Sequence, residues 1–471
     1  MTQELITQEL KIQELVDERF TRYLDRGKLT HHQYQKDGVR WMLTNELRND
    51  PVCNVRGGFI ADEMGLGKTI MMIGTMLCNF VERTLIIVPL ALVDQWYVQI
   101  ARTTGHKALI YRKKQISQET LAEAKIVITT YETISLSLKK KVLTPLHRLV
   151  WGRIIFDEAH HLRNNNTSLY FGAHIIRANI RWLVSGTPIQ NRKNDFYSLC
   201  SILRLPASYY SQSENLIELT RAFIIKRTKK QVGINLPELF QKKNIVDWTD
   251  KREKELAEEL HSVIDCMGVQ GKDKKDKGLP FKGILSALLR AKQSCILPRL
   301  LSNNRGFSEY KDAFNCSSKL DYAVGKMLER KGNGCGKLIF CHFRKEIDEI
   351  ATRLRAGGIT SVATFDGRIN EAQRKTILSE GHEALILQIQ TGCEGLNLQE
   401  HYSEIYFISP HWNPAVEDQA IARCHRIGQT KIVHVERFEM CGFDDLESLN
   451  IEKYTNLTQQ GKREVAREYI K

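Results

Sequence analysis

The chain has 471 residues, a formal net charge of +14 and 11 cysteines scattered singly. That length holds two or three globular domains with ordinary cores, and the basic excess favours an anionic partner such as nucleic acid. No Cys-x-x-Cys pair occurs and no apolar run approaches membrane-spanning length, so neither a zinc module, a redox pair nor a membrane span is expected.

Residues 1–28 form a leader that repeats Gln-Glu-Leu three times. It predicts a charged helix, either packed on the body or solvated. From about Leu29 the chain alternates strands and helices. Gly57–Ala61 reads as a buried strand and runs into Asp62-Glu63-Met64-Gly65-Leu66-Gly67-Lys68-Thr69. An apolar helical run, Ile70 to Phe80, follows. Strand, Gly-rich loop, Gly-Lys-Thr and helix together predict a phosphate-binding loop. The backbone N–H groups of Gly65, Leu66, Gly67 and Lys68 would cradle phosphates. Lys68 would reach the β- and γ-phosphates, and Thr69 would ligate Mg²⁺.

Further strands are expected at Thr84–Val88, Lys125–Thr130, Arg153–Phe156 and Arg181–Ser185, which implies a parallel sheet with functional loops at the strand ends. Asp157-Glu158-Ala159-His160 follows the third of these. An acidic pair there suits metal and water handling: Asp157 for Mg²⁺, Glu158 to orient or deprotonate the attacking water. Ser185 to Asn191 follows the fourth, where a hydroxyl-rich turn would couple hydrolysis to movement. Alone, that heptapeptide is an ordinary turn.

Between about Asp195 and Leu301 helical segments dominate, as in Lys251–Met267 and Gly283–Cys295, with a lysine-rich loop at 268–278. From Ser318 strands return: Lys337–Cys341, Thr360–Phe365, Ala384–Gln388, Glu404–Ile408 and Ile432–Phe438. The expected domains are the leader, a first lobe at 29–235, a helical insertion at 236–317, a second lobe at 318–440 and a tail at 441–471.

Asn413 to Gln429 predicts a helix with Asn413 as N-cap, Pro414 at its first position and Gly428 at its stop. Gln419, Arg423 and Arg426 would share one face, and two arginines on a rigid face suit a phosphate whose charge must be stabilised.

Together these residues resemble the Swi/Snf-related group of superfamily-two helicase-type ATPases. The resemblance runs from about Leu29 to Phe438. It takes in Tyr34 to Trp41, similar to the adenine-reading segment, so that Gln35 would bind the adenine edge. Asp62 to Thr69 matches the family's Asp-Glu-x-Gly-x-Gly-Lys-Thr form. Asp157–His160 and Ser185–Asn191 match the next two motifs. Phe223–Lys229 with Leu236-Pro237 is similar to the start of the helical insertion. Asp366-Gly367 with Arg374, then Gly395–Leu398, match second-lobe motifs, and Trp412 to Gln429 matches the last. Cys393 departs from the pattern where Gly is common.

The resemblance implies an α/β fold of two tandem RecA-like lobes with parallel sheets and a helical insertion. It implies ATP and Mg²⁺ as cofactors, with ATP bridging the lobes and Arg423 and Arg426 as transition-state arginines. The expected partner is double-stranded DNA, gripped by its phosphates and carrying a complex such as a polymerase or nucleosome. Candidate DNA contacts are the loops after Val88 and Ile128, Arg344 and the Gly395 loop. The expected location is intracellular: nuclear in a cell, in the virion or viral factory for a virus. A strand-separating helicase and a non-catalytic nucleic-acid scaffold are the alternative readings. The ending Arg-x-His-Arg-Ile-Gly-Gln argues against an RNA motor, and the full set of catalytic residue types argues against a scaffold.

Overall fold

The computed structural model describes residues 3–112, 116–137, 142–186, 193–266, 281–303, 305–392, 395–443 and 450–469. The chain divides into two compact units, Met1–Asn235 with Lys462–Lys471, and Leu236–Gly461. The lysine-rich loop at 268–278, the stretch Thr187–Asn191 and Cys393 lie outside the described residues.

The first unit is built on seven strands: β1 (Arg56–Ile60), β2 (Thr84–Val88), β3 (Leu109–Tyr111), β4 (Ile126–Thr130), β5 (Val150–Asp157), β6 (Arg177–Val184) and β7 (Ile224–Ile225). They form one parallel sheet in the order β3-β4-β2-β5-β6-β1-β7. Leu85, Ile86, Ile87 and Val88 are all wholly buried, as expected for a strand covered on both faces. Its helices include α1 (Gln3–Leu15), α2 (Thr21–Arg26), α3 (Gln33–Leu47), α4 (Lys68–Cys78) and α5 (Val93–Thr104).

The leader packs on this unit. Ile12, Val16, Phe20, Tyr23 and Leu24 join Met42, Met71, Met72 and Trp96 in one buried cluster. A Cβ on Gly74 of α4 would stand 2.3 Å from the Phe20 ring, so a residue without a side chain is what lets leader and helix meet.

The second unit carries β8 (Leu239–Val246), β9 (Gly336–Cys341), β10 (Val362–Phe365), β11 (Ala384–Gln388), β12 (Tyr402–Phe407) and β13 (Val433–Met440), in the parallel order β10-β11-β9-β12-β13-β8. Its helices include α6 (Arg344–Ala356), α7 (Pro414–Ile421) and, up to Gly461, α8 (Ile451–Tyr469). The fold is thus α/β with two parallel sheets, as the resemblance implies.

Two segments differ from expectation. The range read as a helical insertion opens with β8, whose eight residues pair along β13. Only two of the eight are buried, Asn244 and Val246, so an edge strand with one polar face leaves little apolar signal. Leu256, Leu260, Ala291 and Cys295 from the following helices share the core of β9 and β12. The range read as a tail contains α8. Its Glu452 is buried and accepts from Lys319, from Ser409 Oγ at 2.6 Å and from Met440 N at 2.9 Å.

Candidate active site

Parallel register brings three separate loops to one edge of the first sheet. Ile60 pairs with Val184, and Val184 pairs with Asp157. The three strand ends therefore share a row, and Ser185 N donates to Ile60 O at 3.0 Å just beyond it. The carboxyl edge of a parallel sheet is where such folds place their chemistry.

Asp62 to Gly67 connects β1 to α4. Gly65 has φ +93° and Gly67 φ +79°, backbone that side-chain-bearing residues rarely adopt. These turns place Lys68 and Thr69 at the start of α4, where the helix dipole favours an anion. Lys68 Nζ donates to Asp62 O at 2.8 Å and to Glu63 O at 3.3 Å, folded over its own loop. Gly186 passes close by: a Cβ there would lie 3.5 Å from Lys68 Nζ.

Gln35 on α3 reaches the same loop. Its amide donates to Leu66 O at 3.3 Å, and a Cβ on Gly67 would stand 2.4 Å from Gln35 Nε2. Gln35 is buried and its Oε1 has no hydrogen-bond partner. An orphaned acceptor in that position suits the amino edge of a purine base.

Asp157 ends β5 and is 8 % exposed. Trp96 Nε1 donates to its Oδ2 at 2.7 Å, and Glu158 N donates to its Oδ1 at 3.0 Å. Burial, and then the charge of Glu158, raise its carboxyl to about 7, against the opposing pull of Trp96 and Lys68. Glu158 sits at φ +51°, a strained conformation for a residue with a Cβ. His160 links this acidic pair to the next loop: its Nδ1 lies 3.4 Å from Glu158 Oε2 and 3.2 Å from Ser185 Oγ.

Among the described residues no group of three His, Cys, Asp or Glu gathers as a metal cage. The candidate oxygen donors are the Thr69 hydroxyl at the start of α4 and the Asp157 carboxylate at the end of β5. Such a sparse set fits Mg²⁺ arriving with phosphates, since that ion keeps waters and uses one or two protein ligands.

In the second unit the expected helix is shorter than read. Asn413 does cap it, accepting from Ala415 N at 3.2 Å, but α7 ends at Ile421. Gln419 lies on α7 and is buried, whereas Arg423 and Arg426 lie in the turns beyond, so the three do not share a helical face. Tertiary partners draw off the carbonyls that a longer helix would need. Arg423 O accepts from Leu398 N at 3.1 Å, and Cys424 O accepts from Gln429 Nε2 at 3.3 Å. The two arginines remain neighbours. Burial, and then the charge of Arg423, push the Arg426 guanidinium down to about 10, still charged at neutral pH. Arg426 Nη1 also donates to Asn397 Oδ1, joining the 395–398 loop to the arginine segment.

The other expected second-lobe residues fall at strand ends as well. Arg344 opens α6 after β9, and Asp366 follows β10, paired with Arg368. Arg374 stacks over Phe365, its guanidinium carbon 5.4 Å from the ring centre. The loop expected after Ile128 begins later, because β4 runs to Thr130; Val88 and Thr130 are register partners at the same edge.

Two residues escaped the sequence reading. Arg227, just after β7, was read as part of the insertion's start. It donates Nε to Asp62 Oδ1 at 3.0 Å, pairs Nη2 with Asp62 Oδ2, and lies 5.5 Å over the Tyr34 ring. Trp96 carries no distinguishing sequence signal, because a tryptophan on an amphipathic helix has the pattern of a core residue. No local signal marks either one, since each contact spans long sequence separation.

Comparison with known proteins adds a family. The SNF2-related domain matches residues 34–300, and the helicase conserved C-terminal domain matches residues 318–428. The chain is 27% identical to a "Probable global transactivator" of Orgyia pseudotsugata multicapsid polyhedrosis virus, over 93% of this chain and 91% of that protein. It is 28% identical to an uncharacterized ATP-dependent helicase of Mycoplasma genitalium, over 89% of this chain and 41% of that protein. To the ATP-dependent DNA helicase DDM1 of Arabidopsis thaliana it is 27% identical, over 86% of this chain and 58% of that protein. It thus spans nearly all of the viral relative, but only about two-fifths to three-fifths of these cellular ones.

Proposed function

The chain belongs to the SNF2-related family, and on that premise we propose that it is an ATP-dependent double-stranded DNA translocase that remodels or displaces complexes bound to DNA. One observation carries the ATPase reading. The shared row of Ile60, Val184 and Asp157 sets the Lys68 loop, the Asp157–Glu158 pair and Ser185 side by side.

In this reading Gln35 holds the base, and the loop from Gly65 to Lys68 holds the phosphates. Lys68 exchanges its loop carbonyls for phosphate oxygens. Thr69 and Asp157 would hold Mg²⁺, which when bound would supply charge neutralisation to the phosphates. Glu158, steadied by His160, orients the attacking water and accepts its proton. Arg423 and Arg426 supply the positive charge that stabilises transfer, and Gln419 on α7 acts with them. An arginine in that role is worth ~10³–10⁵ in rate, which makes its placement a natural control point.

The double-stranded DNA reading is supported by the net charge of +14 and by the family. Duplex would be gripped by its phosphates, largely without sequence reading, with the loops after Val88 and Ile128, Arg344 and the Gly395 loop as candidate contacts. The cargo is a protein complex such as a polymerase or nucleosome.

The test is ATP turnover measured alone and with duplex DNA, single-stranded DNA or RNA, alongside triplex displacement and strand separation. Duplex-stimulated turnover with triplex displacement and no unwinding is the expected result. Stimulation by RNA equal to that by duplex would overturn the translocase, and absence of turnover in every condition would leave a scaffold.

A further inference from the structure

Trp96 is wholly buried on α5, yet its one polar atom meets the one carboxylate in the first unit assigned to metal. The strands explain the meeting. β2 and β5 are neighbours, with Ile87 opposite Phe156, and α5 follows the turn after β2. The first turn of α5 therefore stands beside the end of β5. An indole N–H can only donate, so the 2.7 Å contact requires an acceptor on Asp157 Oδ2.

The carboxylate is then held at both oxygens, by Trp96 on one and by Glu158 N on the other. Its backbone is fixed as well, because Tyr131 Oη donates to Asp157 O at 2.7 Å. A carboxylate oxygen has two lone pairs, so each oxygen keeps one for a metal or a metal-bound water. Simple core packing would be served as well by phenylalanine, which lacks the donor.

We propose that Trp96 is a positioning residue that fixes the Asp157 carboxylate in the orientation needed to receive Mg²⁺ brought by the nucleotide. This rests on the reading of Asp157 as a metal-binding residue. Hydrogen-bonding partners behind a metal ligand typically set 10- to 100-fold in metal affinity.

The test is Mn²⁺ binding, followed by electron paramagnetic resonance with a non-hydrolysable ATP analogue, in the full chain. Trp96→Phe should weaken Mn²⁺ about 10-fold. It should leave metal-free affinity for the analogue unchanged. In an Asp157→Asn background the same substitution should add less than about twofold, as expected when two residues act as one unit. Unchanged Mn²⁺ affinity in Trp96→Phe, or an equal loss in both backgrounds, would overturn the proposal. If the unsubstituted chain binds no Mn²⁺ with the analogue, the reading of the nucleotide site falls and the proposal with it.

A second measurement avoids the Trp96 variant. With ¹⁵N-labelled indoles the chain shows up to six side-chain N–H signals, one per tryptophan. Asp157→Asn should move one of them upfield, because a charged acceptor is lost. Six unmoved signals would refute the contact.

Discussion

Arg227 holds Asp62 through Nε and Nη2 of its guanidinium, and through this pair the segment after the last strand of the first sheet grips the loop from Asp62 to Thr69. Asp62 is wholly buried and stands where phosphate-binding loops commonly start with glycine. The neighbouring backbone follows: Glu63 N donates to Arg227 O at 2.9 Å, and Lys229 N donates to Glu63 Oε2 at 2.8 Å. Arg227 also donates to Tyr34 O, next to Gln35. One side chain thus braces both the loop and the segment read as holding the base.

Arg227→Ala should accordingly strand a buried carboxylate. Breaking a buried pair from one side costs about 3–5 kcal/mol, and denaturant unfolding should show a loss near the lower figure, because Arg227 is partly exposed. Nucleotide affinity, followed with a fluorescent ATP analogue, should fall with it. Adding Asp62→Asn should recover part of the stability. A double variant no better than Arg227→Ala would show that the pair is not the source.

Glu158→Gln should retain nucleotide binding and lose turnover about 10²–10⁴-fold, the usual contribution of a positioned acid or base. His160→Ala should show a smaller loss of turnover, because His160 touches Glu158 Oε2 and Ser185 Oγ rather than the reacting atoms. Steady-state turnover with duplex, measured alongside equilibrium nucleotide binding, separates the two effects.

Arg426→Ala should bind ATP normally and lose most duplex-stimulated turnover, about 10³-fold or more if it supplies transition-state charge. Asn397→Ala should cause a milder defect, since Arg426 rests on Asn397. Full turnover in Arg426→Ala would refute the arginine's role.

Glu346 offers a pH test away from the nucleotide loop. It is wholly buried in the second unit, accepts from His342 N at 2.8 Å and Phe343 N at 2.9 Å, and leaves Oε1 unpartnered. Burial raises its carboxyl to about 7 from the ordinary 4.5. Between those values the folded chain holds a proton that the unfolded chain has released, so this group's contribution to stability declines as pH rises from 4.5 to about 7. Glu346→Gln can keep an oxygen acceptor and cannot ionise. It should melt with the unsubstituted chain near pH 4.5 and above it near pH 8. Parallel melting curves across that range would contradict the shift.

Much of the site was legible because its signals are local. The loop from Asp62 to Thr69 carries its own glycines, lysine and hydroxyl in eight consecutive residues, and Asp157 to His160 is equally compact. Arg423 and Arg426 also stand out as candidates in the sequence, but their geometry does not. Helical spacing extended α7 through Gln429, whereas Leu398 N and Gln429 Nε2 take the carbonyls of Arg423 and Cys424 and turn the chain. Those partners lie on a different loop and on the segment's far end, beyond any periodicity.

Sequence by itself determined what is written in short windows: two runs of buried parallel strands, a phosphate loop, an acidic pair, an arginine pair and a basic balance. Backbone conformation and phosphate chemistry depend on adjacent residues, so a window suffices. Tertiary structure alone decided that the leader packs through Phe20, that β8 joins the second sheet, and that Arg227 and Trp96 hold the two key aspartates. Each depends on strand register or on contacts between distant segments. A hydrogen bond across 165 residues, like that from Arg227 to Asp62, leaves no periodic trace in the chain that makes it.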